Sequence, residues 1–337
     1  MYHITLRGTH YEAGFQWGSL LRQHGNIISD AIPFAITGDR LSYAEACLPV
    51  YERYYPEIAE EIRGMADGQQ CDPKILQAVL FSMYAMPPSC CCSCLAVAAG
   101  DEILFGRSSD FLTALEEQNC NVLYALSDGA YALTGNTTAF IELEDGVNEH
   151  GLAIGLTSVY STRRKPGFTA GLLLRYLLEK CRTVDEAIRC AARLPIGSAQ
   201  TLTLADPSGD VAVIECNCER FEFARPTEPR DPFVCAVNEF HLPLMEPCNT
   251  PGIDNWRASE RYRTMESALR GSGERSFSVD EAKKLLSGGY GFLCQYDRAE
   301  GRDTVWSVIY DLRRRRIFRS EGNPMWCGYQ EDTRFRF

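Results

Sequence analysis

The sequence predicts an α+β fold, and two changes of pattern along the chain predict it. Up to about residue 90 the apolar residues recur at helical spacing. Beyond it short alternating runs dominate, interrupted by two consecutive helical stretches. Strand runs, paired helices and further strand runs, in that order, suit helices layered on antiparallel sheets. The 337 residues, 45% apolar and 11% aromatic, suffice for a substantial core without staples. No internal repeat, low-complexity tract or obvious linker divides them.

Thr9 and Glu12 form a capping-box pattern, after which Ala13, Trp17, Leu20, Leu21 and Ile28 suit one helical face. Pro56 opens a second helix that carries Ile58, Ile62 and Met65 and stops at Gly68. Asp72-Pro73 opens a third, through Ile75, Val79 and Met83, which ends before Pro87-Pro88. Segments 94–98 and 103–107 flank Gly100-Asp101-Glu102 as a hairpin. A meander follows at 121–126, 130–134, 139–143 and 152–157. Helices are expected over 171–181 and 183–194, the second announced by a capping box of Thr183 and Glu186. Strands resume at 201–205 and 211–215 around the turn Asp206-Pro207-Ser208-Gly209, and again at 233–237. Ser278 and Glu281 cap one more helix, and strands at 304–310 and 316–319 close the chain. The basic run Arg313 to Arg316 between them reads as a solvated hairpin turn.

Charge and cysteine content narrow the function. With 34 basic and 45 acidic side chains the net charge is −11, which argues against nucleic acid as a partner. No run approaches the roughly 18 apolar residues of a membrane helix. The N-terminal residues show no charged segment followed by an apolar stretch, so no secretory signal is expected and a reduced, cytoplasmic setting is the default. The odd number and irregular spacing of the 15 cysteines agree with that. In such a setting the sequon at Asn136 is uninformative. A zinc site wants separated pairs, whereas the nearest candidates are Cys90, Cys91, Cys92 and Cys94 in one cluster and Cys216 with Cys218. Adjacent cysteines do not readily converge on one tetrahedral ion, so no metal and no organic cofactor is expected. Most other cysteines, such as Cys181 and Cys190, read as small buried apolar residues.

Common catalytic signatures are absent: no nucleophile elbow, no P-loop, no dinucleotide fingerprint after a strand and no paired zinc histidines on a helix. The histidines are His3, His10, His24, His150 and His241, three of them on the helical N-terminal part. A papain-like thiol sits at a helix start, where the dipole lowers its pKa, but Cys92 opens a strand. One chemistry supplies a base without histidine: a cysteine that is itself the first residue of a chain. Its α-amine, with a pKa of roughly 7.7–8.0, accepts the thiol proton near neutral pH. Exposing that amine at Cys92 requires breaking the Cys91–Cys92 bond, which the same thiol achieves by attacking the preceding carbonyl. Residues 1–91 are then a helical prosegment and 92–337 the catalytic domain.

Cys92-Ser93-Cys94-Leu95-Ala96-Val97, followed by Leu104-Phe105-Gly106-Arg107-Ser108-Ser109-Asp110-Phe111, resembles the start of the mature chain in the N-terminal-nucleophile amide hydrolases of the choloylglycine hydrolase and penicillin V acylase type. It is more similar still to their isopenicillin N acyltransferase-like branch, in which a helical prosegment precedes the cysteine. Residues 55–68, from Tyr55-Pro56 to Asp67-Gly68, look like the characteristic stretch of that prosegment. The resemblance continues through Gly146-Val147-Asn148-Glu149, the helix from Leu173 to Cys181, Leu204-Ala205-Asp206, Ala236-Val237-Asn238-Glu239-Phe240 and Ala258 to Tyr262. It covers nearly the whole chain.

What the resemblance implies is a four-layer αββα sandwich acting on an amide C–N bond through a Cys92 thioester, as hydrolase or acyltransferase, on a small-molecule N-acyl amide. Position by position it implies Cys92 as nucleophile, Asp110 as the residue orienting the amine, Arg107 beside the sulfur and Asn238 as oxyanion donor. Arg261 falls where the family often has an arginine near the site, and Thr157 where a second oxyanion donor is expected. Three positions depart from the pattern: Cys90-Cys91 stands before the nucleophile where small residues are usual, Ser108 replaces Asn, and Glu239 replaces a common His. These bear on self-cleavage and substrate preference.

Read without the resemblance, the same residues have plainer explanations. Cys90, Cys91 and Cys94 compete with Cys92, and Arg107 with Asp110 is an ordinary strand-end ion pair. Asn238 is a turn or cap residue, Asn148 and Gly151 shape a turn, and Glu215 is a salt-bridge partner. Trp17, Tyr84 and Phe111 are core candidates. The alternative function is a scaffold of this kind that never cleaves itself and serves as a binding or thiol-redox protein; a conventional Cys/His hydrolase is the third. Membranes are not expected as partners, and a homo-oligomer is compatible with the sequence.

Overall fold

The Thr9 hydroxyl accepts the backbone N–H of Glu12 while the Glu12 carboxylate takes the N–H of Thr9, so the chain turns at once from a first strand, β1 (Tyr2–Gly8), into α1 (His10–Gln23). The computed structural model describes residues 1–32, 34–86, 91–228, 231–271 and 277–337. After α1 come α2 (Ile28–Ala31), α3 (Gly38–Tyr54), α4 (Pro56–Gln69) and α5 (Pro73–Ser82). The hairpin β2 (Cys91–Ala99) and β3 (Glu102–Leu112) leads to β4 (Cys120–Leu126), β5 (Leu133–Thr137), β6 (Asp145–Asn148) and β7 (Ala153–Ser158). The helices α6 (Ala170–Lys180) and α7 (Val184–Ala191) precede β8 (Gln200–Ala205), β9 (Val211–Cys216), β10 (Phe221–Ala224) and β11 (Phe233–Ala236). Then follow α8 (Ala258–Gly271), α9 (Val279–Leu286), β12 (Arg302–Asp311), β13 (Arg316–Ser320), α10 (Pro324–Cys327) and β14 (Gln330–Asp332).

The strands form an eight-stranded sheet, ordered β1-β4-β5-β6-β7-β8-β9-β10, and a six-stranded sheet, ordered β11-β2-β3-β12-β13-β14. All the pairings are antiparallel except β1 on β4. β2, β3 and β11 face β7, β8 and β9 across the inter-sheet core, α6 and α7 cover the outer face of the larger sheet, and α8 and α9 that of the smaller. This is the four-layer αββα sandwich. The period of two along β2 assigns its side chains: Ala96 lies in the inter-sheet core with Phe105, Val213 and Val308, whereas Leu95 and Val97 pack on Met265, Leu285 and Leu286 of the helices. Cys92 and Cys94 therefore share the inner face, and Cys91 and Ser93 the outer.

Several local expectations are corrected. Segment 139–143 is a turn, not a strand: Phe140 takes φ of 57° and Glu142 N–H bonds Ala139 O. Ala139, Ile141 and Leu143 are buried because the turn is pinned under the start of α6, where Leu143 N–H reaches Gly171 O. The Thr183 hydroxyl does cap α7, but the Glu186 carboxylate turns to the N–H of Arg182 instead of closing a box. Strand β1 lies in a stretch read as helical throughout, β6 lies where a turn is expected around Asn148, and β10, β14, α2, α3, α8 and α10 are not anticipated. No described helix is long and apolar enough to cross a membrane.

Segment 1–86 packs closely on itself and is tied to the rest by β1 on β4 and by a buried ionic cluster. Within it α1 and α4 touch backbone to backbone. A Cβ on Gly14 would sit 2.1 Å from Glu61 O, one on Gly18 2.4 Å from Met65 O, one on Gly64 2.1 Å from Tyr11 O and one on Gly68 2.6 Å from Phe15 O. The stretch at 55–68 thus has a packing reason for its glycines. Across to α6 runs a buried ionic cluster: Arg175 donates to Glu61 Oε1 at 2.9 Å, Glu179 Oε1 at 2.8 Å and Tyr124 OH at 3.0 Å. Glu179 Oε2 accepts from Tyr55 OH at 2.5 Å and lies 3.0 Å from His10 Nε2, while His10 Nδ1 lies 2.8 Å from Asp128 Oδ1. Burial disfavours a charged His10, but the bond to Glu179 and the charges of Glu179 and Glu61 outweigh it and raise its pKa to about 9.

Two outcomes follow from this packing. Gly64→Ala should lower the unfolding free energy by about 1–3 kcal/mol although alanine is the better helix former. Gly38→Ala, whose Cβ meets nothing within 4 Å, should be neutral or slightly stabilising; equal denaturation midpoints for the two variants would refute the close-contact account. For His10, raised from 6.5 to about 9, the stabilisation is complete below the unfolded pKa and disappears as pH rises through about 9. The stability difference between the native chain and His10→Gln, followed from pH 6 to 10 by urea unfolding, should therefore shrink with rising pH.

Candidate active site

The site is built where the β2–β3 hairpin meets the ends of β7 and β11. Cross-strand pairing places Cys94 opposite Arg107, Cys92 opposite Ser109 and Cys91 opposite Asp110. Alternation sends Arg107, Ser109, Cys92 and Cys94 inward and Asp110, Cys91 and Ser93 outward toward α8. On the inner face the Arg107 guanidinium is wholly buried and every nitrogen has a partner. Nη2 donates to Cys92 Sγ at 2.7 Å and Glu144 Oε2 at 3.0 Å, Nη1 to Asp145 Oδ2 at 3.2 Å, and Nε to Leu156 O at 3.2 Å. Trp306 stacks on it with 5.5 Å between guanidinium carbon and ring centre.

The two carboxylates that face this cation are saturated in turn. Asp145 accepts from Trp306 Nε1, Tyr310 OH at 2.8 Å and Asn136 Nδ2, and Glu144 from Ser109 Oγ and from both N–H and hydroxyl of Thr138. Burial opposes the charge on Arg107, but Cys92, Glu144 and Asp145 hold its pKa well above the ordinary arginine value. A permanent cation in bonding distance of a thiol favours the thiolate.

On the outer face Asp110 is wholly buried, with Oδ1 accepting from Thr304 Oγ1 at 2.6 Å and Oδ2 from Tyr296 OH at 2.9 Å. Burial raises its pKa, and Arg261, Thr304 and Tyr296 oppose the rise. A bulge in β12 makes this possible. The register against β3 shifts between Thr304 and Trp306, so Thr304 pairs with Asp110 and Trp306 with Ser109. Two residues that would otherwise share a face thus serve opposite ones.

Arg261, near the start of α8, reaches across from below. Nη1 donates to Cys92 O at 2.6 Å and Ser93 Oγ at 2.9 Å, Nη2 to Asn238 Oδ1 at 3.0 Å and Asn255 O at 2.9 Å, and Nε to Trp256 O at 3.0 Å. Trp256 and Arg257 hold φ of 52° and 61°, a left-handed pair of non-glycine residues that aims those carbonyls at the guanidinium. Asn238, just past β11, accepts the Cys92 N–H on Oδ1 at 2.8 Å and donates from Nδ2 to Ser158 O at 2.9 Å.

A family comparison adds to this geometry. The sequence model of the family described as acyl-coenzyme A:6-aminopenicillanic acid acyl-transferase matches residues 97–326. The chain belongs to that family. It lies within the N-terminal-nucleophile amide hydrolases, and membership supports amide hydrolysis or acyl transfer as the reaction class. The matched stretch begins after Cys92 and does not include it. Among solved structures the chain is similar to the N-acylethanolamine-hydrolyzing acid amidase ortholog of Caenorhabditis elegans: 16% identity, TM-score 0.49, 66% of this chain and 93% of that one. It is also similar to penicillin V acylase from Agrobacterium tumefaciens: 19%, 0.48, 68% and 82%. For a conjugated bile acid hydrolase mutant from Clostridium perfringens the figures are 15%, 0.48, 68% and 89%.

The structure brings Cys92, Arg107, Asn238 and Arg261 into direct contact and sets Asp110 on the neighbouring strand, behind the hairpin plane from the sulfur. Cys91 points away from Arg107. Burial pushes the Cys94 thiol up to about 12, and the thiols of Cys120, Cys216, Cys235 and Cys294 likewise, which leaves them protonated and inert. Cys90 lies outside the described residues. The Thr157 hydroxyl lies 2.5 Å from Val237 O, to which it donates, and 2.8 Å from Thr201 Oγ1, so it braces the peptide before Asn238. Glu215 has no ion-pair partner among the described residues; it accepts the N–H groups of His241 and Leu242 and fixes the segment after Asn238. Asn148 shapes its turn through Oδ1 and also holds the last carbonyls of α6 through Nδ2.

Sequence reasoning missed Glu144, Asp145, Tyr296, Thr304 and Trp306. Glu144 and Asp145 follow an apolar run as though they ended a strand on solvent, and only their burial identifies them as Arg107 partners. Arg107→Met would leave both uncompensated in the interior and should cost about 3–5 kcal/mol of stability, read from the denaturant midpoint. A loss below about 1 kcal/mol would show that the carboxylates do not depend on this cation.

Proposed function

We propose that this protein is a cysteine amide hydrolase or acyltransferase that makes its own nucleophile by breaking the Cys91–Cys92 bond, with 1–91 as prosegment and 92–337 as catalytic chain. The observation that carries the reading is the convergence on one residue: Arg107 on the sulfur of Cys92, Asn238 on its nitrogen and Arg261 on its carbonyl.

In the intact chain the Cys92 thiolate, favoured by Arg107, attacks the Cys91 carbonyl carbon. The S–C bond forms, the C–N bond breaks with a proton passing to nitrogen, and water then hydrolyses the thioester to leave a Cys91 carboxylate and a free α-amine. That amine, with a pKa of roughly 7.7–8.0, takes the thiol proton in each later cycle. Asn238 Oδ1 and the Asp110 carboxylate are the acceptors that orient it. The thiolate adds to the amide carbonyl of a small N-acyl substrate, and the oxyanion is held by an Asn238 N–H and a backbone N–H. The departing amine receives the proton. Such a donor contributes on the order of 3 kcal/mol to the transition state. Water or a second amine resolves the acyl-enzyme.

Cys92 is wholly buried in the intact chain, and the described cavities, of about 410 and 300 Å³, are lined by other residues. Substrate access therefore needs a local opening at the Cys91–Cys92 end of β2, which a break in that bond permits. Denaturing mass spectrometry of the purified protein should give fragments 1–91 and 92–337, and Cys92→Ala should give one intact chain with turnover of an N-acyl amide library reduced more than about 10³-fold. An intact native chain without amide turnover would instead favour the scaffold reading, a binding or thiol-redox protein.

A further inference from the structure

Asp110 is held by an arrangement that the nucleophile and its immediate neighbours do not account for. It is wholly buried beside the strand that carries Cys92, yet its closest cation, Arg261 Nη1, stands 3.6 Å away and is already bonded to Cys92 O and Ser93 Oγ. Two hydroxyls do the work instead, Thr304 on one oxygen and Tyr296 on the other. Thr304 comes from the inner strand β12, but Tyr296 comes from the loop between α9 and β12 and is half-buried.

That loop is shaped to present one side chain. Gln295 accepts the N–H groups of Leu293 and Cys294 on Oε1, at 2.7 and 3.0 Å, and donates from Nε2 to Gly288 O and Gly291 O, at 2.9 and 3.0 Å. Gly288 holds φ of 77°, which favours glycine, and a Cβ there would push the Gln295 amide, 2.0 Å away, out of its bonds. Asn323 clamps Cys294 O at 2.7 Å. The Tyr296 ring is then fixed edge-on between Phe292, with centres 5.2 Å apart, and Trp256, at 5.6 Å. Trp256 belongs to the left-handed turn whose carbonyl fixes Arg261, so the supports of Asp110 and Arg261 touch each other at this ring pair.

The geometry points to Tyr296 as a positioning residue that holds the Asp110 carboxyl in place and in its ionised form, and so sets the acid limit of the Cys92 chemistry. This inference rests on the functional reading above for its kinetic consequence, but not for the interaction itself. The groups facing Asp110 are Thr304 from β12, Tyr296 and Cys294 from the loop before it, Arg261 from α8 and Cys91 from β2, with Arg107 on the far side of β3. Burial and the adjacent carboxylate keep the Tyr296 hydroxyl protonated throughout the ordinary range, so it remains a donor. Removing a donor from a charged acceptor raises the acceptor's pKa, and a carboxylate needed in its ionised form is then lost at higher pH.

Two measurements on the full chain test this. In the pH profile of self-cleavage and amide turnover, Tyr296→Phe should move the acid limb up by about 1–2 pH units, while the rate on the plateau stays within a few-fold of the native value. A purely structural role would lower the rate at every pH alike, and an unmoved limb would overturn the assignment. The second measurement needs no activity: infrared titration of Asp110 in the Cys92→Ala background, with the band identified by its loss in Asp110→Asn. Tyr296→Phe should raise the pH at which the protonated carboxyl band disappears, and an unchanged titration overturns the proposal even if the enzyme reading stands. If Cys92→Ala instead leaves cleavage and turnover intact, the enzyme reading falls and the infrared shift alone decides the role of Tyr296. Thr304→Val, which removes the partner hydroxyl, should shift both readouts in the same direction.

Discussion

The buried Arg107 guanidinium is the constraint on which the rest of the structure depends. A cation with no access to water must find acceptors within its own reach, and here it takes them from both sheets: Cys92 on its own hairpin, and Glu144, Asp145 and Leu156 on the larger sheet opposite. This polar knot ties the two sheets together at one end, beside the apolar part of the inter-sheet core around Ala96, Phe105, Val213 and Val308. It also explains why Glu144 and Asp145 can be adjacent and buried. One cation and a set of neutral donors share out their four oxygens, and no carboxylate oxygen is left to itself. The thiol of Cys92 takes the remaining direction of the guanidinium, so a group that holds the fold together also sets the electrostatics of the sulfur.

The hairpin separates the requirements of the chemistry onto two faces. Sulfur and cation lie inward; the Asp110 carboxylate and Arg261 lie outward; the backbone of Cys92 is common to both. A strand is the one element that presents nitrogen, carbonyl and side chain of a single residue in three different directions to three different partners, which here are Asn238, Arg261 and Arg107. The bulge in β12 then resolves a conflict that regular pairing would create, since Thr304 must serve the outer face and Trp306 the inner.

Much of this was legible in the sequence because it depends on local order. The hairpin around Gly100, the capping boxes at Thr9 and Ser278, and the spacing of Arg107 and Asp110 from Cys92 are all short-range patterns. What was not legible depends on burial. Segment 139–143 has the composition of a strand, and only its position beneath α6 makes it a turn. The glycines of α4 read as a helix stop at Gly68, because the partner that demands them, α1, lies some 50 residues away. The Thr157 hydroxyl is committed to Val237 O, a contact that joins β7 to the segment after β11 and that the local run does not show. Tyr296 sits in a loop with no periodicity at all, and its reach to Asp110 is fixed by Gln295, Gly288 and Asn323, none of which carries a signal on its own.

The placement of segment 1–86 bears on what cleavage before Cys92 would do. A cover that merely blocked an active site would rest on it through few contacts, but this segment adds β1 to the eight-stranded sheet, seats α1 against α4 without side chains between them, and shares the Arg175 cluster with α6. Those contacts lie on the outer helical layer and the far sheet edge, away from the Cys91–Cys92 bond. Breaking that bond removes one covalent link and none of them. It changes the nitrogen of Cys92 from an amide, whose single N–H is already taken by Asn238, into an amine with a lone pair and further N–H groups. On the proposed reading, then, the chemical consequence of cleavage is confined to the residue that needs it: the fold stays as it was, and Asn238 and Asp110 become the acceptors for a base that did not exist before.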